Sequence, residues 1–337
     1  MTAESLILAA AMIPLASALA TAAFGERLSR RTVVAFSLGT TVSTLAAGVA
    51  LLWTLNISGT PHGVAPLGVW LELSHLKLVL SLRAQPSDVA VLVWTTSVVL
   101  VGQIAVAFRQ QKRLHRSCAG LSLLGASVHW VILGDSMLLV FLGLQTFALA
   151  TYLLLGFRFL SVERARTAQK TFIVHRIGAI SFFLAMVILL HTSKTLELSS
   201  LAVALQGLGG GVVLDVASIL VLLAGAALAA QLPLSTWLAS ASTGASRTWG
   251  AIHALALVAG VGVVRRLWPL VGQSETALLC LASVGTLSAF LFSTSASAQS
   301  DARRSLALAG GGFGGLAFAQ CATRGVSSAL FYAMAQG

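Results

Sequence analysis

Apolar residues run along this chain in long blocks separated by short polar gaps. The blocks fall at residues 4–24, 33–55, 87–108, 117–134, 136–157, 169–191, 212–230, 249–264, 277–298, 305–321 and 325–337. A helix needs about 20 predominantly apolar residues to cross the hydrocarbon core. The pattern therefore predicts about eleven crossings in an all-α, polytopic transmembrane helical bundle. The fourth and fifth blocks meet at Gly134-Asp135, which predicts a tight turn.

Two stretches depart from the pattern. Residues 56–86 carry Gly59, Pro61, Gly63 and Pro66, then alternate through Val69-Trp70-Leu71-Glu72-Leu73-Ser74. Period-two alternation predicts a small extramembrane β-hairpin; an interfacial helix is the weaker alternative. Residues 231–247 open at Gln231 and Pro233 and continue rich in Ser and Thr to Gly244 and Arg247. This predicts a broken helix, which membrane depth tolerates only where the break is buried in protein or lines a wet cavity. A plain loop is the alternative. The chain thus divides into an N-terminal helix pair with hairpin, 1–86, and a helical bundle, 87–337.

Composition agrees with lipid as the solvent. Of the 337 residues, 57% are apolar and 9% charged, and the mean hydropathy is +0.91. A soluble domain carries about 25% charged residues. The net charge of +11 would suggest nucleic acid in a soluble protein. Here the cations sit in the gaps between apolar blocks, with no basic patch interleaved with aromatics. The gaps after odd-numbered blocks hold Arg27, Arg30, Arg31, Arg109, Lys112, Arg113, Arg116, Arg158, Arg164, Arg166, Lys170, Arg247, Arg303 and Arg304. The other side holds only Lys77, Arg83, Lys194, Arg265, Arg266 and Arg324. The positive-inside bias places the odd gaps at the cytoplasm or mitochondrial matrix and the N-terminus on the opposite face. The first block is too long for a cleaved secretory signal and reads as a retained helix.

Cys118, Cys280 and Cys321 lie far apart in apolar blocks and read as packing thiols. The glycine runs at 207–211 and 310–315 lack a phosphate-loop signature. The first reads as a loop feeding a helix, the second as small residues permitting close helix packing. No nucleotide fingerprint, hydrolase triad or clustered metal ligands are visible, so no redox catalysis is expected from this polypeptide.

Five ordered stretches carry a resemblance. They are Asp135-Ser136-Met137-Leu138-Leu139-Val140-Phe141-Leu142-Gly143 with Tyr152-Leu153-Leu154-Leu155-Gly156-Phe157; Lys170-Thr171-Phe172-Ile173-Val174-His175-Arg176-Ile177-Gly178; Ala230-Gln231-Leu232-Pro233-Leu234-Ser235-Thr236-Trp237-Leu238; Ala251-Ile252-His253-Ala254; and Asp301-Ala302-Arg303-Arg304-Ser305-Leu306-Ala307. In order and spacing they resemble helices five, six, seven, eight and ten of the antiporter-like membrane subunits of respiratory complex I. The closest likeness is to the distal, subunit-5 type. The resemblance covers residues 130–337 and is only an outline before them.

That family moves protons through titratable groups in mid-membrane, pairing a carboxylate on helix five with a lysine on helix seven. Matched to those motifs, Gln145 stands at the glutamate position and Leu228 at the lysine position. Ala179 replaces an acidic residue of helix six, and Tyr332 and Gln336 stand where histidines would be. Gln cannot titrate, Leu cannot carry charge and Ala can do neither, so the resemblance implies a degraded relay. Removing both members of a buried pair also removes its desolvation cost. Intramembrane ionisable groups are functional candidates by default, which leaves His253, Arg176, His175 and Tyr332 as proton-path candidates. His253 also reads as a hydrogen-bonded structural histidine, and Arg176 as a residue snorkelling to the interface. His129, Asp135, Asp88 and Asp215 read as interfacial or helix-capping groups, and Asp301 with Arg303 and Arg304 as a charged helix start.

The resemblance implies a membrane-arm subunit of NADH:quinone oxidoreductase, part of a proton-translocating enzyme but largely architectural. No cofactor is expected on this chain; FMN and iron–sulfur clusters would sit on partner subunits. Other membrane-arm subunits and lipids are the expected partners, and no nucleic acid is. The chain ends inside what the family forms as helix eleven, so the resemblance implies either a separate chain supplying the remainder or a reduced relic. The expected location is the mitochondrial inner or bacterial cytoplasmic membrane. Two rival readings remain: an ion or bicarbonate transport partner on the same scaffold, and a working proton channel using His253 and water.

Overall fold

The computed structural model describes residues 2–73, 76–109, 113–156, 162–206, 211–243 and 248–336. Several sequence expectations touch residues outside these ranges: Lys112, Phe157, Arg158, the glycines at 207–210, Gly244, Arg247 and Gly337. Among the described residues nine helices are long and apolar enough to cross a membrane. The chain opens with α1 (Ala3–Phe24) and α2 (Arg30–Ser58), each started by a hydroxyl cap: Thr2 accepts from the Ser5 N–H and Ser29 from the Thr32 N–H. An antiparallel hairpin follows, β1 (Gly63–Leu73) and β2 (Leu76–Ala84), as the alternation predicted. Ala65 and Leu82 are fully buried and pack beneath it with Ile7 and Leu55.

The bundle then runs through α3 (Pro86–Arg109), α4 (Leu114–Leu133), α5 (Met137–Leu155), α6 (Val162–Ser193) and the short α7 (Leu198–Gln206). Next come α8 (Val212–Leu228), α9 (Thr236–Thr243), α10 (Trp249–Arg266), the single turn α11 (Trp268–Val271), α12 (Glu275–Ser297), α13 (Ala302–Ala322) and α14 (Val326–Gln336). At 17 residues α8 is shorter than a full crossing, and α14 has 11. Those two account for the difference between about eleven predicted spans and the nine long helices. Sequence windows fixed each block by apolar content, whereas the helices run past it: α6 begins at Val162, inside a charged stretch.

Helices approach closely where glycines face each other. A Cβ on Gly260 would meet the Gly225 carbonyl and come within 2.6 Å of the Ala229 Cβ, so α8 and α10 touch backbone to backbone. Gly285 of α12 faces the Gly315 carbonyl of α13 at 2.6 Å in the same way. The 310–315 glycines therefore do serve close packing, the usual way small residues join helices in lipid.

The hairpin end of the bundle is tied by charge. Asp88 is completely buried in the first turn of α3 and accepts the Gln85 N–H at 3.0 Å. It also pairs with Arg265, and with Arg266 at 3.6 Å. Arg266 in turn donates from Nε to the Gly134 carbonyl at 2.6 Å and from Nη2 to Leu133 at 3.1 Å and Arg83 at 3.3 Å. One guanidinium thus closes the end of α4, the edge of β2 and the last turn of α10. Around it the α4–α5 turn is laced to its neighbours: Asp135 N–H donates to Ser81, Met137 N–H to Leu196 and Leu198 N–H to Asp135.

Several capping expectations are corrected by this arrangement. Asp88 does cap, but its carboxylate mainly serves two arginines. Asp135 caps no helix, since Ser136 caps α5; it lies 3.7 Å from Arg266. His129 is buried inside the bundle, where its Nδ1 donates to Ala10 at 3.0 Å and its Nε2 meets Thr96 at 3.3 Å. Asp215 in the first turn of α8 accepts from Ser274 at 2.5 Å and Thr276 at 3.0 Å, tying α8 to the start of α12. Asp301 is the N-cap of α13, as expected.

Burial raises the Asp135 carboxyl above its ordinary value, outweighing the opposing pull of Arg266 and Arg83. Asp88 is therefore the principal counter-ion. Removing one partner of a buried pair costs about 3–5 kcal/mol, and Asp88→Asn is expected to lower stability by that order. Asp135→Asn should cost under about 1 kcal/mol. Unfolding titrations of the two variants in mixed micelles measure the difference; equal losses would contradict the hierarchy.

Candidate functional site

The site candidates lie along α5, α6, the α8–α9 break and α10. The break itself is built from the Ala-Gln-Leu-Pro stretch. After α8 ends at Leu228, Ala230 takes a left-handed conformation (φ 53°) and Leu232-Pro233 is cis. The freed backbone groups find partners nearby. The Gln231 N–H donates to Ala226 at 2.8 Å and the Leu234 N–H to Gln231 at 2.7 Å. The Leu232 N–H donates to the Ser288 hydroxyl of α12 at 3.1 Å. Gln231, fully buried, donates from its amide to Ala229 at 2.8 Å and to Gly311 of α13 at 3.2 Å. Trp237 of α9, also buried, donates its indole N–H to Ala227 at 3.0 Å. The broken helix is real, and side chains take up several of its polar groups, although the Gln231 Oε1 is buried without a partner.

Gln145 does not stand alone. Arg176 of α6 donates from Nη1 to its Oε1 at 2.6 Å, and the same guanidinium lies 4.9 Å over the Phe172 ring. Arg176 is half-buried and is met there by a neutral amide and an aromatic face. One residue back, His175 is 3% exposed. Its ring lies edge-on to Phe147 at 5.5 Å and to Trp237 at 4.9 Å, and neither nitrogen has a hydrogen-bond partner. Through Trp237 it abuts the carbonyl end of α8, next to Leu228. Leu228 and Ala179 are both buried in apolar surroundings, each 2% exposed.

His253 sits apart, on α10. Its ring stacks on Trp249 at 5.4 Å and occupies space that a Cβ on Gly310 would take. Tyr332 of α14 meets Phe313 at 6.3 Å, and Gln336 is exposed at the end of α14. The structure therefore brings Gln145 onto Arg176, and His175 against the break at Pro233. It leaves His253, Tyr332 and Gln336 elsewhere.

The sequence reading missed the work done by Gln231 and Trp237, which sat unremarked inside a quoted motif. A buried glutamine beside a proline break was the available signal. It also missed a neutral polar brace in the first four helices, where Thr41 donates to Gln103 at 2.9 Å and Gln103 donates to Ser122 at 3.0 Å. Among the described residues, no three His, Cys, Asp or Glu side chains converge as metal ligands, and all three cysteines are free thiols.

A polytopic bundle with a helix broken at an Ala-Gln-Leu-Pro turn, flanked by an arginine-bearing helix, defines the antiporter-like class of membrane proteins. Residues 134–337 match the family model described as NADH:quinone oxidoreductase/Mrp antiporter, TM, and the chain belongs to that family. It is an integral membrane protein. NADH-quinone oxidoreductase subunit L of Escherichia coli (strain K12) is 29% identical over 276 residues, covering 80% of this chain and 45% of its own length. NADH-ubiquinone oxidoreductase chain 5 of Metridium senile is 27% identical, covering 96% of this chain and 54% of its own. NAD(P)H-quinone oxidoreductase subunit 5 of the Zygnema circumcarinatum chloroplast is 29% identical, with 80% of this chain and 40% of that protein covered. The chain thus spans about half the length of the curated relatives it matches. In fold it is similar to a chain of the Mrp complex from Dietzia sp. DQ12-45-1b, with TM-score 0.81 and 19% identity over 98% of this chain and 36% of that one. It is equally similar to a chain of an archaeal membrane-bound sulfane sulfur reductase, with TM-score 0.81 and 17% identity, covering 98% and 68%.

The Gln145–Arg176 contact makes a specific prediction. Gln145→Glu should be tolerated, because the new carboxylate meets a guanidinium already in place. Gln145→Glu combined with Arg176→Gln should cost about 3–5 kcal/mol more, because the charge is then buried without a partner. A double-mutant cycle on unfolding in micelles reads this coupling; additive effects would remove the contact from the account.

Proposed function

We propose that this chain serves as a membrane-arm subunit of a respiratory NADH:quinone oxidoreductase, filling and docking the arm rather than carrying its own proton relay. The observation behind this reading is that the two positions the resemblance matches to the family's ionisable pair, Gln145 on α5 and Leu228 at the end of α8, are neutral. Gln145 is engaged by Arg176, and Leu228 is buried among apolar side chains. A glutamine accepts that hydrogen bond without titrating, and a leucine carries no charge, so the make-and-break of a buried ion pair has no groups to act on. FMN and iron–sulfur clusters would then belong to partner subunits. The enzyme's activity would be that of the assembly. The membrane would be a bacterial cytoplasmic or mitochondrial inner membrane, with the N-terminus away from the cytoplasm or matrix.

A second reading, an ion or bicarbonate transport partner on the same scaffold, is favoured by the likeness in fold to the Dietzia Mrp complex chain. Affinity purification in mild detergent separates the two. Flavin- and iron–sulfur-bearing NADH-oxidising subunits alongside this chain support the first reading. Antiporter subunits or a soluble zinc protein support the second, and a lone monodisperse chain opposes both.

Within the assembled enzyme, Gln145→Ala and Leu228→Ala should leave NADH-driven proton pumping within about twofold of wild type, since neither side chain takes up a proton. Gln145→Glu together with Leu228→Lys reinstates a titratable pair, and is expected to raise the protons moved per NADH. Abolition of pumping by either alanine variant would sink the proposal and favour a working relay through His175 or His253.

A further inference from the structure

We infer that the groove between α2 and α3, at the end where Arg30 and Arg31 begin α2, binds an anionic phospholipid from the surrounding membrane. The groove encloses about 590 Å³. Its floor is aliphatic, made by Val34, Leu38 and Ile104, and Phe108 stands beside it with 84% of its surface exposed. Two guanidiniums stand at its polar end. Arg30 donates from Nη2 to the Ala107 carbonyl at 2.5 Å, so its side chain lies across the groove from one helix to the other instead of reaching into water. Among the described residues that line the groove, none is acidic.

The charge at this end is unbalanced on three counts. Arg30 and Arg31 are both cationic. They occupy the first turn of α2, where the helix dipole is already positive and disfavours cations. That turn carries no acidic residue to offset them. An anion placed there meets both guanidiniums and the helix terminus together.

The floor decides which anion. A soluble phosphate has no use for an aliphatic trough, whereas a phospholipid has a phosphate and an acyl chain joined in the same order as the arginines and the trough. The trough also opens along two spans that face lipid. The best membrane window of α2 is only 28% buried within the bundle, the lowest of the nine spans. The arginine-rich gaps mark this end as the cytoplasmic or matrix face, where the leaflet's anionic lipids add to the attraction. Phosphate on the guanidiniums and one acyl chain along Val34, Leu38 and Ile104 satisfies both halves of the groove with one molecule. A net negative headgroup matches two cations better than a zwitterionic one does.

The test uses the full chain, purified in detergent and titrated with phosphatidylglycerol or phosphatidylcholine of the same acyl chains, with bound lipid counted by native mass spectrometry. Wild type should retain phosphatidylglycerol in preference. Arg30→Gln with Arg31→Gln should cost about fivefold in affinity per arginine lost and bring the two lipids to near parity. Arg30→Lys with Arg31→Lys should keep most of the preference. Ala35→Trp, which fills the trough and leaves the charge, should weaken both lipids. Arg303 and Arg304 are exposed on the same membrane side, and Arg303→Gln with Arg304→Gln should change nothing at this site. Equal retention of the two lipids by wild type would overturn the assignment. So would equal losses from the two arginine pairs, which would mean general attraction to a positive face and no groove.

Discussion

A helix interrupted inside a bilayer frees backbone N–H and C=O groups where no lipid can receive them. The rest of this structure is arranged around that demand. Gln231 reaches back to Ala229 and across to Gly311, Ser288 receives the Leu232 N–H, and Trp237 covers the Ala227 carbonyl. These contacts draw α8, α9, α12 and α13 into one unit. The facing glycines Gly225 and Gly260 bring α8 against α10, and Gly285 and Gly315 bring α12 against α13, closely enough for short side chains to span the gaps. A break held this way is a structural joint in its own right. It needs no neighbouring charge pair to persist.

That separates two features usually considered together. The scaffold of the antiporter-like family is present, while Gln145 and Leu228, the positions the resemblance matches to that family's ionisable pair, are an amide and an aliphatic side chain. Charge has not left the bundle. It is concentrated at the hairpin end, where Asp88, Arg265 and Arg266 tie α3, α4, α10 and β2. Arg176 remains deeper in, lodged on Gln145 and Phe172. His175 has no hydrogen-bond partner and lies between two aromatic neighbours, Phe147 and Trp237.

Much of this was legible in the sequence, for identifiable reasons. Apolar block length gives the long helices because lipid tolerates little else. The alternation beginning at Val69 marked the hairpin, although the strand carries an irregularity between Val69 and Leu71 and leaves Val69, Trp70 and Leu71 all exposed. Pro233 gives the break because it cannot donate within a helix. What escaped was pairing at a distance. Asp88 and Arg265 are 177 residues apart, and nothing local to either marks the other. Asp215 does stand in the first turn of α8, but the other bonds of Asp135, His129 and Asp215 were hidden for the same reason. Each lies beside a helix end in sequence, but bonds to a different element in space. Nothing local to Arg176 marked Gln145 as its neighbour.

The proposed function requires that no continuous proton path run through the region from α5 to α10. Ordered water in an experimental map of the assembled complex tests it most directly. The account predicts at most isolated waters there, such as one against the unpartnered His175 ring, with apolar side chains between Gln145, Leu228 and His253. A continuous file of waters joining His253 and His175 to either membrane face would contradict it.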